Sequence, residues 1–306
     1  MKILVATQKP FAAAAVNGIR GIAEAAGHEL ALLEKYTETS QLLEAVADAD
    51  ALIVRSDKVT AEVIDAAPQL KIVVRAGAGY DNLDLEACTR KGIVAMNTPG
   101  QNSNAVAELA IAMMIYMSRN QFTPGTGREI SGTKVGIQAY GNVGRLVARK
   151  AKALGMSVMA FDPFVPAEKM QEEGVEPAES LEQMYAACDF VSLHIPALPQ
   201  TVKSIGYELV GKMPKGACLV NTARKEVIDE EGLLQILSVR EDLKYVTDIA
   251  PERKDEFDGK FGKRFFATPK KMGAETAEAN VNAGLAAAHQ IVDFFATGCT
   301  KFQLNK

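Results

Sequence analysis

The chain has 306 residues, more than one hydrophobic core usually serves, so two domains are expected. Hydrophobic residues make up 48% and charged residues 24%, a composition that excludes an intrinsically disordered chain. The formal net charge of -4 argues against partners such as nucleic acid or an anionic membrane, so an anionic substrate has to be held by local cations.

Short apolar runs alternate with amphipathic stretches along the first part of the chain. We predict strands over residues 3–6, 30–33, 51–55 and 72–75. Helices are predicted between them over residues 11–26, 40–47 and 62–66. Strands that alternate with helices in this way form parallel sheets with helices on both faces.

The rest of the chain repeats this pattern after one long helix. That helix is predicted over 104–118, and a loop rich in glycine and threonine follows over 123–127. A further helix is predicted over 143–154, and further strands over 134–138, 157–161, 190–194, 218–221 and 245–248. The fold class that follows is α/β, with two doubly wound parallel-sheet domains.

Cysteine spacing and apolar run lengths disfavour several classes of protein. The four cysteines form no CxxC pair and there are three histidines, so no metal site is expected. The longest apolar run, over 109–117, is too short to span a bilayer, and the N-terminus has no apolar run of signal-peptide length. We therefore expect a cytoplasmic protein that binds neither a membrane nor nucleic acid.

The segment 135–144 reads as a strand, a glycine turn and the start of a helix. Gly141 would let the backbone approach a pyrophosphate, and Gly144 would let the helix pack closely on the strand. Ala139 replaces the first glycine of the dinucleotide fingerprint, which is tolerable if its φ is negative. Asp162, near the offset of the acid that binds a ribose 2′-hydroxyl, favours NAD over NADP. The alternative is an ordinary glycine turn in a βαβ unit.

Four further segments carry a resemblance to a known family. They read VRAGAGYDNLD over 74–84, MNTP over 96–99, CDFVSLHIPALPQT over 188–201 and LVNTARKEVIDEEGL over 219–233. In this order they resemble the D-2-hydroxyacid dehydrogenase family, and within it the phosphoglycerate dehydrogenases. The resemblance covers nearly the whole chain.

The resemblance implies a division of the chain into two domains of different function. A Rossmann NAD domain would cover 99–283. A flavodoxin-like substrate domain would be discontinuous and cover 1–98 and 284–306. The active site would be the cleft between them, and its closure would expel water.

Substrate contacts are implied at the ends of two predicted strands. Arg224 would bind the carboxylate and the carbonyl of the substrate, because a guanidinium forms two parallel hydrogen bonds with a carboxylate. Arg75 would bind a substrate phosphate. The remaining contacts would come from Asn102 and from the backbone of Ala76, Gly77 and Ala78. Surface salt bridges are the alternative for both arginines.

The resemblance also implies a full set of cofactor contacts. The contacts that lie neither in the 135–144 turn nor at Asp162 would line the adenine and ribose half or the nicotinamide half of NAD. Asp248 would accept a hydrogen bond from the nicotinamide carboxamide. The implied NAD contacts are Thr98, Gly141, Asn142, Val143, Gly144, Asp162, His194, Pro196, Thr201, Thr222, Ala223, Asp248, Gly273 and Ala274.

The chain departs from the family at its acid–base group. The family's catalytic histidine is replaced in the stretch TPKKMGA over 268–274 by a lysine, which is Lys271 or, counted from the other side, Lys270. We favour Lys271. The family's partner glutamate is also missing, and Glu252 is a catalytic candidate for its role or else a solvated residue. A lysine base needs burial and a nearby cation such as Arg224, and a carboxylate neighbour would oppose it.

The function implied is NAD-dependent oxidation of 3-phosphoglycerate, a small anionic substrate, to 3-phosphohydroxypyruvate, the first step of serine biosynthesis. No regulatory domain is expected after residue 306. A homodimer is expected, with the helix over 106–117 at its interface. The alternative is that this helix is buried within its own domain. The alternative activities are glyoxylate or hydroxypyruvate reduction, and a non-catalytic NAD-sensing, corepressor-like protein.

Overall fold

The computed structural model describes residues 1–305, which contain twelve strands and twelve α-helices. The strands are β1 (Lys2–Thr7), β2 (Glu29–Glu34), β3 (Ala51–Val54), β4 (Ile72–Arg75), β5 (Val94–Asn97), β6 (Lys134–Gln138), β7 (Ser157–Phe161), β8 (Glu176–Pro177), β9 (Phe190–Leu193), β10 (Cys218–Asn221), β11 (Lys244–Thr247) and β12 (Phe265–Ala267). The helices are α1 (Ala13–Ala25), α2 (Thr39–Val46), α3 (Ala61–Asp65), α4 (Leu85–Arg90), α5 (Ser103–Ser118), α6 (Asn142–Ala153), α7 (Ala167–Glu172), α8 (Leu181–Ala187), α9 (Tyr207–Gly211), α10 (Glu230–Val239), α11 (Lys254–Phe261) and α12 (Ala277–Thr297).

The chain divides into two compact units. The first comprises residues 1–102 and 275–306, and the second comprises residues 103–274. The sequence-based domain bounds, 1–98 with 284–306 and 99–283, describe functional domains and stay a prediction.

The first unit is built on a five-stranded parallel sheet in the order β2-β1-β3-β4-β5. Its inner strands, such as β3 and β4, are nearly continuous apolar runs because helices cover both faces. On one face α1 buries Ala15, Ile19 and Ala23, which lie four residues apart along the helix, in a core shared with α12. The strand order is that of a flavodoxin-like sheet, with its switch point between β1 and β3.

The second unit is built on a seven-stranded parallel sheet in the order β12-β11-β10-β9-β6-β7-β8. From β8 to β11 this is the doubly wound Rossmann order, and its switch point lies between β6 and β9. Ligands of such sheets bind outside the carboxyl ends of the strands at that point. The predicted α/β class with two doubly wound sheets is confirmed.

Helix α5 lies in the second unit, and its apolar residues pack inside that unit. Ala107, Ala110 and Met114 are fully buried, in a core with the strands β6 and β10. Burial inside the second unit therefore accounts for the apolar residues of 106–117, which is the alternative to a dimer interface. No helix among residues 1–305 is both long and apolar enough to cross a membrane.

Candidate active site

The turn between β6 and α6 has the geometry of a phosphate-binding loop. Gly141 precedes the helix without any side-chain cap, so the first amides of α6 have no side-chain partner at that end. A Cβ on Gly141 would meet open space, whereas a Cβ on Gly144 would overlap the carbonyl oxygen of Ala139 and lie 3.0 Å from Ile137 Cγ2. Gly144 is therefore required for close packing of the helix on the strand, as the sequence predicted.

Ala139 does not have the negative φ that the sequence analysis expected. Its φ is 77°, in the left-handed region that favours glycine. The turn imposes this conformation, since the amide of Ala139 still pairs with the carbonyl of Phe161 at 2.9 Å while the next residue turns toward α6. The alanine thus occupies a glycine conformation at a cost of about 1 kcal/mol.

Asp162 lies immediately after β7 and holds the same turn in place. Its Oδ2 accepts the amide of Tyr140 at 2.8 Å, and its Oδ1 accepts the amide of Phe164 at 2.8 Å. Each carboxylate oxygen has two lone pairs, so one remains on each for a ribose hydroxyl. The sequence predicted the ribose contact and missed this role in the backbone.

The segment after β9 carries the residues expected on the adenine and ribose side. His194 donates its amide to Gln138 at 3.0 Å and its ring Nε2 lies 3.0 Å from Ser192 Oγ. Burial, assisted by the positive charge of Lys271, lowers the pKa of His194 to about 3, so the ring is neutral at physiological pH. Thr201 Oγ1 accepts the amide of Leu198 at 2.8 Å and closes the turn that begins at Pro196.

The turn after β10 places Arg224 beside the end of the sheet. Asn221 closes this turn, since its Oδ1 accepts the amide of Ala223 at 2.9 Å and its Nδ2 donates to the carbonyl of Arg224 at 3.0 Å. The guanidinium Nη1 of Arg224 donates to the carbonyl of Ala223 at 3.0 Å. The hydroxyl of Thr222 is buried and has no hydrogen-bond partner among the described residues, which is the state expected of a group that faces a ligand.

Lys271 reaches the same turn from the segment after β12. Its Nζ donates to the carbonyls of Thr222 and Ala223, both at 2.9 Å, and to Asp248 Oδ1 at 2.7 Å. The carbonyl of Ala223 therefore accepts from both Lys271 and Arg224, which brings two cations together. Lys270 is exposed. Of the two lysines left open by the sequence, Lys271 is the one in this cluster.

The surroundings of Lys271 differ from expectation in one respect. A buried carboxylate, Asp248, contacts the amine directly, although the sequence analysis expected a lysine without such a neighbour. Burial nevertheless lowers the pKa of Lys271 below its ordinary value, aided by the positive charge of Arg224 and opposed by Asp248. The expected direction of the shift is obtained because burial outweighs the added carboxylate.

Glu252 lies in an exposed ion pair rather than in a buried hydrogen-bond network. Its carboxylate forms an ion pair with Lys225 at 3.0 Å and is 75% exposed. Arg253, at the position of the family's glutamate, pairs with Glu231 and Glu256. A catalytic role for Glu252 stays a prediction, and these contacts favour the alternative, a solvated ion pair.

Asp248 and Gly273 form a small buried group next to Lys271. Asp248 is fully buried, and its Oδ2 accepts the amide of Gly273 at 2.8 Å. Both carboxylate oxygens thus already have a protein donor, and a nicotinamide carboxamide would use a remaining lone pair. Ala274 follows on the same segment and is half-buried.

In the first unit the substrate candidates follow β4. Arg75 donates from Nε to the carbonyl of Arg55 at 2.9 Å, and its guanidinium lies over Gly77, where a Cβ would overlap it. Gly77 has a φ of 150°. The carbonyl of Ala78 accepts from Asn97 at 2.6 Å, so the segment 76–78 is fixed by its neighbours.

Three further residues complete this edge of the first unit. Thr98 is fully buried, its amide donates to the carbonyl of Gly77 at 3.0 Å, and its hydroxyl has no partner among the described residues. Asn102 is half-buried. Arg55, which no motif of the sequence indicated, follows β3 beside Arg75 at the end of β4, and its carbonyl accepts from Arg75 Nε at 2.9 Å.

The sequence matches the family model described as "D-isomer specific 2-hydroxyacid dehydrogenase, catalytic domain" over residues 12–305. A D-3-phosphoglycerate dehydrogenase of Methanocaldococcus jannaschii is 38% identical over 271 residues, which are 82% of this chain and 51% of that protein. The chain thus spans about half the length of that relative. A hydroxypyruvate reductase of Thermotoga maritima is 37% identical over 221 residues, 68% of this chain and 71% of that protein.

Among solved structures, the NAD+-bound 3-phosphoglycerate dehydrogenase of Entamoeba histolytica is similar along its whole length. It is 52% identical, covers 100% of this chain and 99% of its own, and has a TM-score of 0.90. The match of the family model to nearly the whole sequence agrees with the two sheets, the glycine turn and the paired cations described above. The chain belongs to the D-isomer specific 2-hydroxyacid dehydrogenase family.

Proposed function

We propose that the protein oxidises 3-phosphoglycerate to 3-phosphohydroxypyruvate with NAD, the first step of serine biosynthesis. The observation that carries the proposal is the pair of cations, Arg224 and Lys271, on the carbonyl of Ala223. A 2-hydroxy acid needs a cation for its carboxylate and a group that removes the proton of its hydroxyl. The relatives named 3-phosphoglycerate dehydrogenase support the choice of substrate.

The residues after β6 and β7 fit NAD. Gly141 leaves open space before the uncapped start of α6, which suits a pyrophosphate, and Asp162 retains acceptor capacity for a ribose hydroxyl. The buried hydroxyl of Thr222, which has no hydrogen-bond partner within residues 1–305, can form a hydrogen bond with a ligand. A carboxylate at Asp162 would repel the 2′-phosphate of NADP, so NAD is favoured. When bound, NAD supplies the acceptor of the hydride.

The roles of the protein groups follow from their charge and chemistry. Arg224 binds the substrate carboxylate and stabilises the charge that develops on the C2 oxygen as hydride leaves. Lys271, in its neutral form, accepts the proton of the 2-hydroxyl. Arg75 supplies a cation for the phosphate. His194, with a pKa of about 3, is neutral near pH 7 and cannot act as an acid there.

Production of NADH with a panel of substrates tests this proposal. We expect turnover with 3-phosphoglycerate and much weaker turnover with unphosphorylated 2-hydroxy acids. A preference for glycerate, or for hydroxypyruvate in the reverse direction, would support a hydroxypyruvate reductase instead, the activity named for the relative in Thermotoga maritima. Tight NAD binding without turnover of any substrate would support a non-catalytic NAD sensor.

We also propose that the protein works in the cytoplasm as a homodimer. The apolar residues of α5 pack within the second unit, so a dimer interface at this helix stays a prediction. Light scattering of the purified protein gives the mass directly. A monomer at concentrations used for activity would contradict the dimer.

A further inference from the structure

The hydrogen bonds of Lys271 match one protonation state. Its Nζ has three acceptors within 2.9 Å, namely the carbonyls of Thr222 and Ala223 and the Oδ1 of Asp248. An ammonium has three N–H groups and no lone pair, so each proton finds one acceptor. A neutral amine has two N–H groups and would turn its lone pair toward the third oxygen. The three acceptors therefore favour the protonated lysine.

Asp248 is held rigidly at this position. It is fully buried, its Oδ2 accepts the amide of Gly273 at 2.8 Å, and its own amide donates to Asn221 at 3.1 Å. The amide of Met272 in turn donates to the carbonyl of Asp248 at 3.2 Å. Because the segment after Lys271 is folded onto Asp248, the carboxylate cannot rotate away from the amine. Its charge acts on Lys271 at a fixed distance.

Resting on the proposed function, we propose that Asp248 is a positioning residue that receives the ammonium formed when Lys271 takes the substrate proton. The O–H bond of the 2-hydroxyl breaks and an N–H bond forms on Nζ. The electron pair of that O–H bond becomes the second bond of the ketone as the hydride leaves C2 for the nicotinamide. The new N–H bond at first faces the substrate oxygen, and rotation of the ammonium about the Cε–Nζ bond then brings its three protons onto Asp248 and the carbonyls of Thr222 and Ala223. A carboxylate beside the acid–base group thus stabilises its protonated form, as a glutamate beside a histidine would.

Four charged or titratable groups act on Lys271 from the elements around it. Arg224 shares the Ala223 carbonyl and opposes the ammonium, whereas Asp248 and the more distant Glu226 favour it. His194 stays uncharged near neutral pH. Of the four, Asp248 makes the direct contact at 2.7 Å. Loss of its charge should therefore have the largest effect on the titration of Lys271.

The test measures the titration of Lys271 directly, in the protein without NAD. Competitive labelling with acetic anhydride, read by peptide mass spectrometry from neutral to alkaline pH, gives the apparent pKa of the Lys271 amine. Asp248→Asn keeps the size of the side chain and removes the charge, and we expect the pKa of Lys271 to fall by about 1 to 3 pH units. Asp248→Glu keeps the charge and should leave the pKa nearer the wild-type value.

A matched control is Asp189→Asn. Asp189 also accepts a backbone amide, that of Lys134 at 2.9 Å, and pairs with Arg128, so its loss perturbs the same unit without touching Lys271. The pKa of Lys271 should not change in this variant. Asp248→Ser, whose hydroxyl can still accept from Gly273, provides a second uncharged variant in case asparagine does not fold.

Activity provides a separate readout. Since a lower pKa makes the neutral amine available at lower pH, the rising limb of the oxidation rate should move down in Asp248→Asn by the amount found in labelling. The proposal would be overturned if the pKa of Lys271 were unchanged in both uncharged variants. It would also be overturned if labelling showed a lower pKa of Lys271 but the pH profile of the oxidation rate did not move with it. If the wild type turns over no 2-hydroxy acid but the labelled shift is present, the proposed function fails while the coupling of Lys271 to Asp248 stands.

Discussion

Replacement of Lys271 by alanine should affect both activity and stability, and the structure gives the size of each effect. General base catalysis contributes about 10² to 10⁴-fold, so kcat should fall by that factor. Three hydrogen bonds of Nζ are lost, and Asp248 is left fully buried without a cation. Leaving a buried acceptor unsatisfied costs about 1 to 3 kcal/mol of folding free energy. The lower end of this range applies, because water can enter the space left by Lys271, whose side chain is 35% exposed.

Two further variants separate these effects. Lys271→Arg keeps a cation for Asp248 but cannot act as a base, because a guanidinium stays protonated. Its stability should therefore stay closer to the wild-type value, while its kcat falls as in the alanine variant. Lys270→Ala is the matched control, since Lys270 is exposed and lies one residue away. It should change neither quantity appreciably.

The assays are steady-state oxidation of 3-phosphoglycerate, titration of NAD binding and urea unfolding of each variant. NAD affinity should be nearly the same in all of them, because Lys271 acts on the substrate. In the wild type the rate should rise with pH up to a pKa below the ordinary lysine value of 10.5, since burial lowers it. A Lys271→Ala enzyme with near-normal kcat, or a larger loss in Lys270→Ala, would refute the assignment.

Three other substitutions test separate parts of the account. Wild type should prefer NAD over NADP by at least about tenfold in kcat/KM, or about 1.4 kcal/mol, and Asp162→Ala should narrow that gap; equal use of both by the wild type would remove the ribose assignment. Arg75→Ala should raise KM for phosphorylated substrate far more than for hydroxypyruvate, and equal losses would assign Arg75 to the scaffold. Ala139→Gly should raise the free energy of unfolding in urea by about 0.5 to 1 kcal/mol, because the φ of 77° suits glycine, and a decrease would contradict the strain.

Most of the two sheets could be predicted from the sequence, because buried parallel strands are continuous apolar runs. Strands β4, β6, β7 and β10 were predicted at the bounds that the structure has. Strands β5, β8 and β12, of four, two and three residues, were not predicted, since so few residues show little periodicity. Helix ends differ by one or two residues, as for α1, where only the backbone defines the cap.

The candidate site was predicted less completely, for physical reasons that differ between residues. Motifs identified Arg224 and Lys271 separately, but no spacing in the sequence shows that both share the carbonyl of Ala223. Asp248 was assigned to the cofactor alone, because its contact with Lys271 depends on how the segment after β12 folds. The positive φ of Ala139 was missed because an alanine gives no local signal for it, and the turn geometry prevailed over the residue's preference.

The central claim is that hydride moves from C2 of 3-phosphoglycerate to NAD while Lys271 takes the hydroxyl proton. Oxidation of 3-phosphoglycerate that carries deuterium at C2, followed by NMR of the reduced nicotinamide, tests it most directly. The account predicts one deuterium on the nicotinamide ring per turnover in the wild type, and turnover about 10² to 10⁴-fold slower in Lys271→Ala. Reduced nicotinamide without deuterium, or the same rate in both proteins, would contradict it.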